Sequence, residues 1–217
     1  MIINIDKPVG WTSFDIVKKV KRITGHKKVG HGGTLDPFAS GVLIIGTEND
    51  TKNLSAIAKS NKSYQAELIL GATTNTLDTE GEIIDKKPTP VLNEHILLKI
   101  MKTFEGKQKQ IPPMFSAKKY NGVRLYKLAR KNIEIERSEI DIEIDDISLV
   151  SFSSHKIIFN VSCSKGTYIR VLGSDIAEKL GTVGYLINLR RTRVGNYFIN
   201  ESKSIEIFEK LWKLYTR

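Results

Sequence analysis

The stretch Val29-Gly30-His31-Gly32-Gly33-Thr34-Leu35-Asp36-Pro37-Phe38-Ala39-Ser40-Gly41 places three glycines within four residues, then one acidic side chain directly before a proline. Glycine has no Cβ, so the backbone turns sharply there and lets other groups come close. The ring of Pro37 clashes with a helical conformation at the preceding residue, which pushes Asp36 extended. The stretch therefore reads as a permissive loop that ends in a carboxylate on a restricted backbone. Such a loop either connects two strands, Asp-Pro being a common turn dipeptide, or builds a site.

The flanks on either side describe a folded scaffold. Ile2-Ile3-Asn4-Ile5 reads as an opening strand, ended by Asp6-Lys7-Pro8-Val9-Gly10. Thr12 or Ser13 caps a helix in which Phe14, Val17, Val20 and Lys21 follow helical spacing. Its other face carries Lys18, Lys19 and Arg22, a solvated basic stripe, and Gly25 closes it. Downstream, Gly41-Val42-Leu43-Ile44-Ile45-Gly46 is a continuous apolar run of strand length, expected to be buried on both faces. A helix over 50–59 leads to a strand over 62–71, then to a polar loop over 73–81.

Asn93 caps a helix with Ile96, Leu97, Ile100 and Phe104 on one side. The segment 106–131 is basic and irregular, with Asn121-Gly122 as a turn signal inside it. Residues 133–161 become strand-like, Ile140-Asp141-Ile142-Glu143-Ile144 alternating strictly. A glycine turn and a helix occupy 164–180, three arginines (Arg190, Arg191, Arg193) fall within 188–194, and an amphipathic helix covers 204–215. Strands interleaved irregularly with helices predict an α+β fold, a central mixed or antiparallel sheet flanked by helices.

Charge and composition narrow the chemistry. The 217 residues hold 34 Lys and Arg against 24 Asp and Glu, a net charge of +10, which suits a polyanionic partner such as nucleic acid. No apolar run approaches the roughly 18 residues of a membrane helix, and the N-terminus lacks a signal-peptide layout. The single Cys163 excludes an internal disulfide framework and suits a reducing cytoplasm. His26, His31, His95 and His155 lack zinc-ligand spacing. The glycine loop matches neither nucleotide-binding glycine pattern, and no G-x-S-x-G elbow is present. What remains is a lone carboxylate in a glycine loop on a basic scaffold, which fits covalent catalysis by aspartate on an anionic substrate.

Seven motifs in order carry a resemblance that covers residues 2 to about 200. They are Ile5-Asp6-Lys7-Pro8-x-Gly10-x-Thr12-Ser13, Gly30-His31-x-Gly33-Thr34-Leu35-Asp36-Pro37, Gly41-Val42-Leu43, Lys62-x-Tyr64, Ile111-Pro112-Pro113-Met114-Phe115-Ser116-Ala117-Lys118, Cys163-Ser164-Lys165-Gly166-Thr167-Tyr168-Ile169-Arg170, and Leu189-Arg190-Arg191. Together they resemble the TruB family of tRNA pseudouridine synthases, enzymes that isomerise a T-loop uridine of tRNA (position 55 in tRNA numbering). The resemblance implies the pseudouridine synthase fold, with 106–131 as a mobile thumb-like insertion and the whole chain as a single catalytic domain. It implies that Asp36 is the catalytic aspartate, attacking C1′ or C6 or assisting at C2′, and that Arg170 is the arginine paired with it. Tyr64 matches the tyrosine against the target uracil, suited to stacking and to helping remove the C5 proton. His31 matches the histidine that fills the place of the flipped nucleotide, although hydrogen bonding within its loop is an alternative. Gly33, Thr34, Tyr168 and Leu189 fall in the RNA-contacting motifs, Lys118 and Lys119 suit phosphate contacts, and Lys7 reads as structural.

Two departures accompany the resemblance. Gly32 stands where bacterial relatives usually have Thr or Ser, and the chain stops before the small C-terminal RNA-binding (PUA) domain of most relatives. The expected partner is the T-arm stem-loop of tRNA, with no cofactor, no metal, no membrane and no obligatory protein partner, in a cytoplasmic monomer. A competing reading is a non-catalytic RNA-binding module or tRNA-folding chaperone, disfavoured by the presence of Asp36. Uridines of other RNAs are a third.

Overall fold

The computed structural model describes residues 1–215. In chain order the elements are β1 (Ile2–Lys7), α1 (Ser13–Thr24), β2 (Val29–His31), β3 (Ser40–Thr47), α2 (Leu54–Lys59), β4 (Lys62–Leu70), β5 (Ala72–Thr74), β6 (Ile83–Lys86), α3 (Glu94–Lys102) and β7 (Gly106–Gln110). There follow β8 (Lys119–Tyr120), β9 (Val123–Arg124), α4 (Leu125–Ala129), β10 (Ile140–Phe152), β11 (Lys156–Cys163), α5 (Ile169–Lys179), β12 (Gly184–Val194), β13 (Tyr197–Phe198) and α6 (Ile205–Tyr215). They pack as two compact units, residues 1–65 with the stretch from Leu189 onward, and residues 66–188.

In the first unit β3 is the central strand. It pairs antiparallel with β1, Ile2 opposite Gly46 through Lys7 opposite Gly41. It also pairs antiparallel with β2 and parallel with the end of β12, Arg190 lying opposite Ser40 and Arg191 opposite Gly41. All eight residues of β3 are buried because both of its faces are covered. Leu43 and Ile45 join Ile3, Ile5, Ile16, Val17, Val20, Ile205 and Phe208 on one side. Val42 and Ile44 join Leu54 and Val194 on the other. Each such side chain removed from water contributes roughly 1.5–3 kcal/mol.

Helix α1 is closed at both ends by its own sequence. Thr12 and Asp15 form a reciprocal capping box, and Gly25, at φ +71°, takes the left-handed C-cap. The side it buries consists of Ser13, Ile16, Val17 and Val20. Phe14, expected on that apolar side, is instead 60% exposed. Successive helix residues are about 100° apart, so once Ile16 and Val20 define the inward direction Phe14 falls outside it.

In the second unit the sheet order is β12–β4–β11–β10–β7, using the parts of β4 and β12 that lie within 66–188. β10 is antiparallel to both neighbours and carries register shifts near Asp146 and Ser151. Helix α5 lies close to β12 at Gly173, where a Cβ would stand 2.8 Å from Leu186. The fold is thus the expected α+β arrangement with a large mixed sheet flanked by helices.

Local differences from the sequence reading have local causes. The helix expected over 50–59 opens as a 3-10 turn over Glu48–Asn53 before α2. The polar loop expected over 73–81 contributes β5, paired with β6. Residues 106–131 are not irregular throughout. β7 forms an edge strand on β10, and Asn121 and Gly122, at φ +47° and +80°, close the β8–β9 hairpin as their dipeptide predicts. Residues 133–139, expected to be strand-like, form no strand.

Candidate active site

In the first unit the glycine-rich stretch leaves β2 at His31 and ends at the turn Asp36-Pro37-Phe38-Ala39, closed by the Ala39 N–H donating to Asp36 O at 3.1 Å. Proline at the second position of this turn fits its fixed φ. Phe38 and Ala39 are buried and anchor the turn, while the Asp36 side chain is half-buried at its edge.

Five consecutive carbonyls, Gly33 to Pro37, each accept a hydrogen bond. Arg191 donates from Nη2 to Gly33 O at 3.2 Å and from Nη1 to Thr34 O at 3.1 Å. Ser13 Oγ donates to Leu35 O at 3.2 Å and accepts from Leu35 N at 2.8 Å. Asp36 O closes the turn, and Pro37 O accepts from Gly10 N at 2.8 Å and from Lys7 Nζ at 3.4 Å. Buried backbone groups are costly to leave without partners. Satisfying them in one arrangement fixes the loop and so fixes where the Asp36 carboxylate projects.

Two of the donors are buried cations. Arg191 is 1% exposed and also donates from Nε to Val42 O at 2.7 Å. Lys7 is 0% exposed and further donates to Trp11 O at 2.6 Å and Pro8 O at 2.9 Å, which fits its structural reading. Arg191 reaches the loop because parallel pairing sets it beside Gly41. Gly41 has φ +105°, and a Cβ there would stand 2.2 Å from Arg191 O. Only glycine fits. Gly33, at φ +126°, faces Lys62 and Arg191, so β4 lies beside the loop two residues before Tyr64. Gly32 is accommodated differently. A Cβ there would stand 3.2 Å from Ile57 of α2, so the space that Thr or Ser would use is held by that side chain.

The other sequence-predicted residues of this unit are near the sheet. His31 pairs with Ile45 in the β2–β3 ladder, Tyr64 on β4 is 7% exposed, and Leu189 on β12 is 4% exposed. Thr34 is exposed.

In the second unit Arg170 opens α5 and is 4% exposed. Its guanidinium donates from Nη1 to Thr76 O at 2.6 Å and from Nη2 to Phe115 O at 2.7 Å, and Nη1 lies 3.2 Å from Asp78 Oδ2. Asp78 is itself fully engaged. Its Oδ1 accepts from Thr76 Oγ1 at 2.6 Å and Glu80 N at 2.9 Å, while Thr74 Oγ1 donates to Asp78 O at 2.7 Å and accepts from Asp78 N at 3.1 Å. Tyr168, the residue before α5, exchanges backbone hydrogen bonds with the Gln110 side chain. Lys118 is half-buried and Lys119 exposed at the start of the β8–β9 hairpin. A cleft of about 520 Å³ between α3 and β10, lined by Leu98, Lys99, Met101 and Ile147 among others, contains none of these residues.

Asp78 and Arg191 escaped the sequence reading as site residues. For Asp78 the available signal was the alternation Thr74-x-Thr76-x-Asp78, short polar side chains suited to bonding one another, inside a stretch read only as loop. For Arg191 the signal was its two-residue spacing from Leu189, which puts both on one face of a strand.

Comparison with known proteins converges. Residues 21–169 match the family model described as TruB family pseudouridylate synthase (N terminal domain). A protein of Clostridium kluyveri named tRNA pseudouridine synthase B is 46% identical over 208 residues, 96% of this chain and 72% of that protein. Its namesake in Clostridium acetobutylicum is 47% identical over 95% of this chain and 70% of its own length. The Psychrobacter cryohalolentis namesake is 43% identical, and this chain spans 60% of it. Among solved structures, a chain of a Cbf5-Nop10-Gar1 complex superposes with a TM-score of 0.79 at 28% identity, covering all of this chain and 55% of that one. A chain of an H/ACA RNP bound to a substrate RNA containing 2′-deoxyuridine gives 0.73 at 27% identity with the same coverage.

Proposed function

The chain belongs to the TruB family of pseudouridylate synthases, and on that premise we propose that it converts one T-loop uridine of tRNA, position 55, to pseudouridine. The observation that carries this reading is the Asp36 turn: a half-buried carboxylate on a loop whose five carbonyls are all engaged. A nucleophile or proton acceptor held in one position lowers the entropic part of a barrier.

The target base is stacked within a folded loop and must be extruded before the enzyme reaches its sugar. His31, at the end of β2, takes the place the base vacates. Asp36 attacks the nucleotide or assists deprotonation at C2′, and the N-glycosidic bond breaks. The base turns and C5 bonds to C1′, which releases the Asp36 carboxylate from the nucleotide or returns the C2′ proton it took; N1 gains a proton and C5 loses one, with the Tyr64 hydroxyl helping to move it. Composition is unchanged, so the reaction calls for no external group. Leu189 packs against the base, Gly33, Thr34 and Tyr168 contact the RNA, and Arg170 supplies the cation that works with the catalytic carboxylate. The 106–131 segment closes on the RNA through Lys118 and Lys119. On this reading the enzyme is cytoplasmic and acts as a monomer.

Incubation with a T-arm stem-loop RNA, followed by carbodiimide treatment and reverse transcription, tests the assignment. The wild type is expected to modify one loop uridine, and Asp36→Asn to bind the RNA without reacting. Equal activity in that variant removes Asp36 from the chemistry.

A further inference from the structure

Helix α1 presents a stripe that the chemistry above leaves unused. Phe14, Lys18, Lys21 and Arg22 occupy positions i, i+4, i+7 and i+8, which share one helix face, and all four are exposed. Past the Gly25 cap, Lys27 and Lys28 are exposed as well. At about 1.5 Å per residue the helix itself runs about 18 Å.

Both ends of this stripe are fastened to the candidate site within the same unit. At its head, Ser13 is bonded twice to Leu35 and Gly10 N–H donates to Pro37 O, the residues on either side of Asp36. At its tail, Lys28 leads directly into β2 and His31, and its carbonyl accepts from Glu48 N at 2.8 Å. The ridge therefore starts beside Asp36 and returns to His31.

The cations on this face are held by no ion pair. Among the described residues the side chains of Lys21, Arg22, Lys27 and Lys28 make no ion pair or hydrogen bond, and Lys18 lies 4.8 Å from the Phe14 ring centroid. The contrast is Lys19 on the same helix, which pairs with Glu209. The nearby acids are committed. Asp15 accepts from the Thr12 N–H and hydroxyl, which holds its carboxyl below the usual range, and Glu48 accepts from the backbone of Lys27 and Lys28. Phe14, 60% exposed, stands at the end nearest Asp36. An exposed aromatic ring followed by a row of exposed cations is the arrangement that receives an unstacked base and then successive phosphates.

We propose that the exposed face of α1, from Phe14 through Lys18, Lys21 and Arg22 to Lys27 and Lys28, is a binding ridge for the RNA strand that flanks the target uridine. This rests on the RNA-modifying function above and adds to it a surface outside the recognised motifs. The partner is the sugar–phosphate backbone of the substrate, favoured over an acidic protein or an anionic membrane because the ridge begins next to the loop that carries Asp36 and leads through Lys28 into the strand that carries His31.

The test compares wild type with the triple variant Lys18→Gln, Lys21→Gln, Arg22→Gln, using a T-arm stem-loop RNA across 50 to 300 mM salt by fluorescence anisotropy. Each cation removed leaves one phosphate with its counterion, so the slope of log K against log salt is expected to fall by about 2–3. Kd at physiological salt should rise at least tenfold, with an unchanged Tm and a kcat at saturating RNA within about twofold of wild type. Phe14→Ala should weaken binding several-fold without moving the salt slope, since stacking releases no counterions. Lys19→Gln, on the paired side, should leave the slope as it is. An unchanged slope and Kd in the triple variant overturn the ridge, as does a loss confined to anionic lipid vesicles or an acidic peptide. A wild type that neither binds nor modifies the RNA fails at the proposed function instead, so the two failures are distinguishable.

Discussion

Arg191 in the first unit and Arg170 in the second are both almost fully buried, yet their charges are compensated by different chemistry. Arg191 meets only carbonyl oxygens among the described residues, those of Gly33, Thr34 and Val42. Arg170 meets two carbonyls and the carboxylate of Asp78, whose Oδ1 accepts from Thr76 and Glu80 while its backbone exchanges two hydrogen bonds with the Thr74 hydroxyl. A planar fork facing dipoles fixes the shape of a backbone, and its energy lies in the geometry of each bond. A fork facing a carboxylate forms a near-neutral pair whose energy lies in the match of charges, so loss of one partner strands the other. Arg191 thus shapes a loop, and Asp78 secures a cation.

The contrast between the two arginines is most exposed to test at Gly41, the residue that lets Arg191 come close. Gly41→Ala forces a Cβ into the Arg191 carbonyl at a φ that L residues avoid, and is expected to cost about 3–5 kcal/mol from strain and overpacking together. Thermal unfolding followed by circular dichroism measures it, and a Tm within two degrees of wild type would mean that β3 and β12 separate without penalty. Asp78→Ala leaves Arg170 buried without that carboxylate and should cost about 3 kcal/mol, or about 6–12 °C of Tm for a chain of this size. Asp78→Asn, which keeps the shape and part of the hydrogen bonding, should cost less, and equal losses in the two variants would show that charge is not what Asp78 supplies.

Arg191→Lys keeps a charge and loses the fork. Its expected cost is about 1–2 kcal/mol in stability, with a larger fall in kcat than in RNA affinity, since the loop loses shape while the side chains proposed to contact RNA stay. Single-turnover kinetics alongside RNA titration separate the two, and an unchanged kcat would release Arg191 from loop shaping.

The smallest effect concerns Asp175, on the same helix as Arg170. Burial, with Glu178 as a like-charged neighbour, pushes its carboxyl up to about 6. The folded state therefore binds this proton more tightly than the unfolded chain does. The stability it contributes is present below pH 4 and lost as pH rises through about 6. Asp175→Asn, neutral at every pH, should gain a few degrees of Tm relative to wild type at pH 8 and nothing at pH 4. Equal shifts at both pH values would exclude titration as the cause.

Much of this was legible in the sequence because it is local. The capping of α1 by Thr12 and Gly25, the Asn121-Gly122 hairpin, the two-sided burial of the run after Gly41 and the turn at Asp36-Pro37 each depend on residues within one turn or one strand of one another. The family motifs likewise mark their residues one by one. Phe14 was misread because spacing alone leaves the direction of a helix face open by a residue, and the packing of Ile16 and Val20 under β3 decided it.

Composition, periodicity and motif are properties of neighbours in the chain, and they were enough to set the α+β character and the net positive charge and to single out the carboxylate at Asp36 as a candidate. What holds that carboxylate's loop, and what accompanies Arg170, came only with the folded chain. Arg191 meets Gly33 across 158 positions and Arg170 meets Thr76 across 94. A buried cation takes its partners from whatever backbone the fold brings within hydrogen-bond reach, and no local pattern records that choice.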